Sequence, residues 1–198
     1  MSDRFVLASQ SAARKAVLRD AGIAFQAEAA HVDEAAIKVE RLVAGDSPLD
    51  VAKVLAEAKA VEVSRRTPGL VLGADQTLDL DGRLFDKPAS VDQLRAQLME
   101  LRGSTHLLHS ALAVARDGEV VWRHEGLARL TMRAFSNAFL EDYLAREGEA
   151  VQACVGGYRL EGLGVQLFEA IDGDYFTILG LPLLPVLALL RREGLAAA

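Results

Sequence analysis

The stretch Gly69-Leu70-Val71-Leu72-Gly73-Ala74-Asp75-Gln76 decides the fold. Leu70 to Ala74 is a short apolar run with no charge, the composition of a strand buried in a sheet. An acid follows at once. The strand is expected to end at Ala74, with Asp75 just beyond its C-terminal end, where α/β folds place their sites. Asp75 there could activate a water or hold a divalent cation. It could equally be a turn residue bonding to nearby backbone N–H groups.

Working outward, Phe5-Val6-Leu7-Ala8 is a second buried-strand run. The turn Ser9-Gln10-Ser11 leads from it into helical spacing over 12–21, with Ser11 as N-cap and Gly22 as C′ residue. Ile23 to Val32 reads as another strand. Pro48 to Val63 reads as a helix with Val51, Val54, Leu55 and Ala58 on one face. Beyond Asp75, Thr77 to Phe85 suits a hairpin turning at Asp81-Gly82. A helix over 91–101 follows, then two alternating strands, 107–115 and 120–133, around Asp117-Gly118. Helices over 136–146 and 183–192 flank a strand-like segment at 162–171. Strands alternating with helices imply an α/β domain, and the hairpins make its sheet mixed rather than purely parallel. Without an internal repeat or long linker, residues 1–198 form a single domain.

Half the residues are apolar (51%), enough for a sizeable core, and the net charge of −6 argues against a protein that coats nucleic acid. Cys154 is the sole cysteine, so no intrachain disulfide forms, and no base flanks it in sequence. Met1 to Phe5 lacks the apolar run of a signal peptide. The apolar stretch 178–190 is shorter than the ~20 residues of a membrane span and is interrupted by Gly180, Pro182 and Pro185. A cytoplasmic protein without membrane attachment is expected.

Four further segments carry candidate chemistry. The turn Ser9 to Lys15 offers two hydroxyls, the open N–H groups of a helix start, and the cations Arg14 and Lys15. Such a start binds anions, and an anion would relieve the conflict between those cations and the helix dipole. The same turn could be a plain capped helix with solvated cations. Lys87, in Phe85-Asp86-Lys87-Pro88, could neutralise phosphate oxygens, pair with Asp75, or be a surface lysine. Gly156 to Gly164 holds four glycines around Glu161, which could read a base edge, bind metal or cap the loop. Asp172-Gly173-Asp174 suits a turn first, and a hard cation second. The four histidines lack zinc spacing, and the sequence has neither a P-loop nor a dinucleotide fingerprint nor a nucleophile elbow.

Taken in order, these segments resemble the Maf family of septum-formation-like proteins, from Leu7 to about Arg192. The family's S-x-S-P-R-R turn is matched by Ser9, Ser11 and Arg14. Its acidic residue after the second strand falls at Asp33, beside Glu34, and its helical lysine at Lys59. G-A-D is Gly73 to Asp75, and K-P is Lys87-Pro88. S-G-x-x-H is loosely matched at Gly103 to His106. The late glycine-rich segment is Gly156 to Gly164, and the ending runs from Gly173 to Pro182. The resemblance implies a fold like the inosine-triphosphate pyrophosphatases. It also implies cleavage of a nucleoside triphosphate to monophosphate and pyrophosphate with a divalent cation, Mg²⁺ or Mn²⁺. In that reading Asp75 is the proton acceptor and, with Asp33 or Glu34, holds the metal. Ser9, Ser11, Arg14, Lys59 and Lys87 grip phosphate. Members often pair as dimers, though no stripe in this sequence demands a homodimer. The family name also suggests an alternative, a nucleotide-binding regulator of cell division in which hydrolysis is incidental.

Three departures bear on substrate choice. Ala12 and Ala13 replace the proline and first arginine of the turn, Gln76 replaces threonine, and Glu161 replaces glutamine. Gln76 and Glu161 are similar to the branch that prefers 7-methyl-GTP over dTTP or UTP, although that branch has tryptophan where this chain has Ala13. A carboxylate at 161 would accept from the N1–H and N2–H₂ edge of a cationic N7-methylguanine, which a neutral amide does less well.

Overall fold

The structure, a computed structural model, describes residues 4–197; the expectation drawn on Met1 to Asp3 lies outside them. The elements are β1 (Phe5–Ala8), α1 (Ala12–Asp20), β2 (Gln26–Ala27), α2 (Glu34–Val43), α3 (Pro48–Ser64), β3 (Leu70–Leu80), β4 (Arg83–Phe85), α4 (Val91–Leu101), β5 (Thr105–Arg116), β6 (Glu119–Met132), α5 (Asn137–Val151), a 3₁₀ turn (Leu163–Leu167), β7 (Phe168–Asp172), α6 (Tyr175–Ile178) and α7 (Leu183–Arg192). One sheet runs β2-β1-β3-β5-β6-β7, with β4 also on β3. β1 pairs in parallel with β2 and β3, and the other pairings are antiparallel, so the sheet is mixed.

Both expected hairpin turns are present. Asp81-Gly82 and Asp117-Gly118 each hold two successive positive φ values, the conformation of the two-residue turn that matches strand twist. Three expectations change. β3 does not stop at Ala74 but runs six residues further, because β5 pairs with it continuously from Val71 to Asp79. Asp75 therefore lies mid-strand, opposite Ala111. The strand expected over 23–32 shrinks to Gln26–Ala27, which pair with Val6 and Leu7 of β1, the Glu28 N–H adding one bond to the Leu7 carbonyl. The segment 162–171 divides into the 3₁₀ turn and β7.

Helices cover both faces of the sheet. On one, Leu70, Leu72 and Ala74 of β3 pack with Val17 and Leu18 of α1 and with Leu183, Val186 and Leu190 of α7. On the other, Ala52, Ala56 and Ala60 of α3, spaced i, i+4, i+8, meet Ala111, Ala113 and Ala115 of β5. These small side chains let α3 lie almost on the sheet: a Cβ on Gly73 would stand 2.2 Å from the Ala56 carbonyl oxygen. Further along the sheet, α4 and α5 close a separate cluster around Leu94, Leu98, Phe135 and Tyr143.

That cluster includes Tyr158, whose Oη lies 2.7 Å from His106 Nε2. His106 is buried, and its Nδ1 has no partner among the described residues. Desolvation pushes its pKa down from 6.5 to about 4. The neutral ring thus favours the fold, and that contribution is complete above pH 6.5 and lost as pH falls through about 4. The depression corresponds to about 3 kcal/mol. Urea unfolding between pH 7 and 4 should therefore show a steeper loss of stability in the wild type than in His106→Leu. Equal slopes would remove His106 as the cause.

Candidate active site

On the face of β3 that meets α3 stand Gly73, Asp75 and Thr77, every second residue of the strand. Helix α3 begins well: Ser47 caps it through the Asp50 N–H, and Pro48 occupies the first turn, where its missing N–H costs nothing. Because the alanine stripe draws α3 down, Lys59 reaches the strand. Its Nζ lies 2.6 Å from Asp75 Oδ1 and 3.0 Å from Glu34 Oε1. The Lys59 and Asp75 side chains are only 10% and 9% exposed, while Glu34 is 45% exposed. A buried carboxylate and ammonium in contact with each other form one element of the site, and Glu34 approaches from the solvent side.

Beside Asp75 the sheet has a gap. β1 pairs with β3 only as far as Gly73, and β4 joins the same edge at Leu78. Among the described residues that edge of β3 has no strand neighbour from Ala74 to Thr77, and the turn after β1 opens onto it. Arg14 spans the opening: its Nη1 donates to the Ala74 carbonyl (2.8 Å) and to Ser9 Oγ (3.3 Å), and its Nε donates to the Gly180 carbonyl (2.8 Å). Burial lowers the Arg14 pKa, the nearby Asp75 and Glu34 carboxylates oppose that shift, and the guanidinium remains cationic. Arg14 is thus first a clamp on the turn. Its Nη2 has no protein partner among the described residues.

Ser9 Oγ accepts from the Ser11 N–H, and Ser11 Oγ accepts from the Arg14 N–H as the N-cap of α1. Neither hydroxyl proton has an acceptor among the described residues, so both remain available to donate. Lys59 likewise keeps one of its three N–H donors. Hydroxyl, guanidinium and ammonium donors therefore line a gap whose far wall is the Asp75 carboxylate.

Gln76 faces the opposite side of β3 from Asp75. Its Nε2 donates to Ser110 Oγ (2.9 Å) and to the carbonyls of Thr177 (3.0 Å) and Ile178 (3.1 Å) in α6. Gln76 accordingly anchors α6. Glu161 is exposed and borders a cavity of about 440 Å³ between α1 and α6, with Ala13, Ala16, Asp20, Tyr175 and Phe176 among its walls. Asp33 caps α2, its Oδ1 accepting from the Ala36 N–H at 2.9 Å, while Glu34 alone of that pair reaches Lys59. Lys87 is exposed. Its neighbour Asp86 pairs with Lys38 of α2 at 2.6 Å, which ties the Lys87 segment to the helix carrying Glu34. Asp174 caps α6 through the N–H groups of Phe176 and Thr177. Burial, and then the charge of Glu161, push the Cys154 thiol up, which makes it a poor nucleophile. Tyr175 and Gly180 lie within the ending 173–182 without a role assigned from sequence, and Ser110 and Asp20 carry no sequence signal, since each acquires its place only through strand pairing or the packing of α6 and α1.

Among the described residues no group of three or more His, Cys, Asp or Glu could hold a metal by itself. The donor set still fits a Mg²⁺-type ion. Asp75 and Glu34 already converge on one cation, the Lys59 ammonium. Mg²⁺ commonly takes one or two carboxylates and completes its shell with substrate phosphates and water.

The mixed α/β sheet thus presents a buried carboxylate beside hydroxyl, guanidinium and ammonium donors, a set whose chemistry suits a phosphate-containing ligand. The chain belongs to the Maf-like protein family, which it matches over residues 4–193. It is 57% identical to a nucleoside triphosphate pyrophosphatase of Caulobacter vibrioides, over 95% of this chain and 94% of that one. It is 50% identical to a 7-methyl-GTP pyrophosphatase of Brucella abortus, over 98% of each chain, and 53% identical to one of Mesorhizobium japonicum, again over 98% of each. Among solved structures, a HAM1 protein from Coxiella burnetii is similar with a TM-score of 0.42 and 19% identity, over 67% of this chain and 74% of that one.

Proposed function

We propose that this chain is a hydrolase that splits a nucleoside triphosphate into the monophosphate and pyrophosphate, with Asp75 as the general base. The observation that carries this is the Asp75–Lys59 contact of 2.6 Å beside the gap in β3. One Asp75 oxygen is held by the ammonium, and the other has no protein partner among the described residues. A water against that second oxygen gives up its proton as its oxygen bonds to the α-phosphorus, and the bond from that phosphorus to the bridging oxygen of pyrophosphate breaks. The Ser9 and Ser11 hydroxyls, Arg14 Nη2 and Lys59 donate to phosphate oxygens. Lys87, with its exposed ammonium, adds positive charge for the leaving pyrophosphate. A divalent cation, Mg²⁺ or Mn²⁺, held by Asp75 and Glu34 with the phosphates, would supply neutralisation of the charge that develops there. Asp33 serves this arrangement by capping α2 and so placing Glu34.

A preference for 7-methyl-GTP is supported by the names of the Brucella and Mesorhizobium relatives and by Glu161 at the cavity. Cytoplasmic location and pairing as a homodimer belong to the same reading. Among the described residues no helix is long and apolar enough to cross a membrane. The test is a panel of GTP, 7-methyl-GTP, dTTP and UTP with separate detection of pyrophosphate and orthophosphate. Pyrophosphate release, fastest from 7-methyl-GTP and less selective in Glu161→Gln, is expected. Release of orthophosphate alone would overturn the reaction assigned.

A further inference from the structure

The cavity between α1 and α6 has a division of character. Ala13, Ala16 and Val17 of α1 form a wall of small side chains, and Tyr175 and Phe176 of α6 form an aromatic wall. Among the described residues that line it, the charged ones are Asp20 and Glu161, both acids. Phe176 packs partly into the core, whereas Tyr175 is 46% exposed, with its ring edge-on to Phe176 at 6.0 Å and 68°. A large exposed aromatic beside a wall of alanines leaves room for a flat group between them. Two carboxylates and no cation among the described lining residues favour a positively charged occupant; Arg159, whose charge reaches Glu161, is itself held by Glu147 at 2.6 Å.

The aromatic wall is held from beneath. Asp174 caps the start of α6, and the carbonyls at its end are taken by Gln76 Nε2 and by Ser110 Oγ, the latter 2.8 Å from the Thr177 oxygen. Gln76 follows Asp75 in β3, so one strand fixes both the base of the reaction and the wall of the cavity. Arg14 joins the two regions as well. Its backbone follows Ala13 in the cavity wall, while its guanidinium bonds Ala74 and Gly180. A nucleotide whose phosphates lie in the Ser9–Arg14 cradle can reach the cavity past Arg14.

We propose that Tyr175 is a specificity-determining residue that stacks on the cationic purine base of the substrate read above, and that Gln76 is a positioning residue acting through α6. This rests on the hydrolase reading above. Stacking of a base on an aromatic ring is sequence-tolerant by itself, and a cationic ring strengthens it through the π-face of tyrosine. Asp20 and Glu161 then set the preference for positive charge.

The test uses the full-length enzyme with 7-methyl-GTP and GTP, and with the product 7-methyl-GMP as a fluorescent ligand whose emission is quenched on stacking. Tyr175→Ala is expected to raise KM for 7-methyl-GTP about tenfold, the scale of one lost base–aromatic stack, with a smaller change in kcat. It should also abolish most of the quenching. Tyr175→Phe should retain both properties. Gln76→Ala should reproduce part of the Tyr175→Ala effect, and the double variant should be no worse than Tyr175→Ala alone. Asp20→Asn should raise KM for 7-methyl-GTP more than for GTP. Should Tyr175→Ala misfold, Tyr175→Leu keeps apolar bulk without the π-face and must give the same loss. KM and quenching unchanged in Tyr175→Ala or Tyr175→Leu would overturn the stacking role. An equal effect of Asp20→Asn on both nucleotides would overturn the charge preference. These failures are distinct from failure of the hydrolase reading, in which the wild type itself would release no pyrophosphate.

Discussion

Asp75→Asn is expected to bind nucleoside triphosphate and to lose about 10²–10⁴-fold in kcat, the range that a positioned general base contributes. The amide has the size of the carboxylate, and its oxygen can still accept from the Lys59 ammonium, so the contact that Asp75 Oδ1 makes at 2.6 Å has a neutral replacement. What disappears is the ability to take a proton from water. The phosphate donors are on other residues: Ser9 and Ser11 on the turn, Arg14 on α1, Lys59 on α3. Removing one negative charge from a site that receives a polyanion also does not weaken ground-state binding. The loss should therefore fall on kcat with KM unchanged or lower, the pattern of an interaction made in the transition state. Single-turnover pyrophosphate release and calorimetric binding on the same preparation separate the two quantities. Turnover near wild type would remove Asp75 as the base.

How far the sequence leads to this site depends on a single parity. The hydrophobic runs at 5–8 and 70–74, the Asp-Gly turns and the Ser11 cap are local signals, and the structure realises each of them. Ending β3 at Ala74, however, discards the period of two. With the strand extended to Leu80, Asp75 and Gln76 must point to opposite faces, one toward α3 and the other toward α6. The two residues that look like neighbours in one binding motif then have different work. An aspartate in an apolar run reads as a strand end because an unpaired buried charge is costly, and what reverses that reading is Lys59, sixteen residues away and brought in by an alanine stripe. Helix α2 is an element that the spacing of the core-forming residues does not announce: it is amphipathic, but none of its residues is buried and Val39 and Val43 are exposed, so its apolar side adds nothing to the core. The cavity beside Glu161 is the least legible feature, since its walls come from residues far apart in sequence that meet only after α6 docks on β3 and β5.

Lys59→Met is expected to lower the unfolding free energy by about 3 kcal/mol as well as to impair turnover. Removing one member of a buried ion pair leaves the other charge without compensation, and losses of about 3–5 kcal/mol follow in such cases. The lower end applies here because Asp75 stands beside the gap in β3, where water and the Arg14 guanidinium retain part of its solvation. Methionine keeps the length and apolar body of the lysine stem, so lost packing is a minor part of the change. Glu34→Gln provides the contrast. Its carboxylate also contacts Lys59, but at 45% exposure its removal should cost less than about 1 kcal/mol. The discriminating measurement is a double-mutant cycle by urea denaturation. If the lysine acts through Asp75, then Lys59→Met in an Asp75→Asn background should cost less than in the wild type, with a coupling of about 1–3 kcal/mol. Additive losses would mean that Lys59 stabilises α3 for some other reason. The coupling also has a catalytic meaning, because an ammonium that holds the base at rest and also carries a donor for phosphate oxygens ties the readiness of Asp75 to the arrival of the triphosphate.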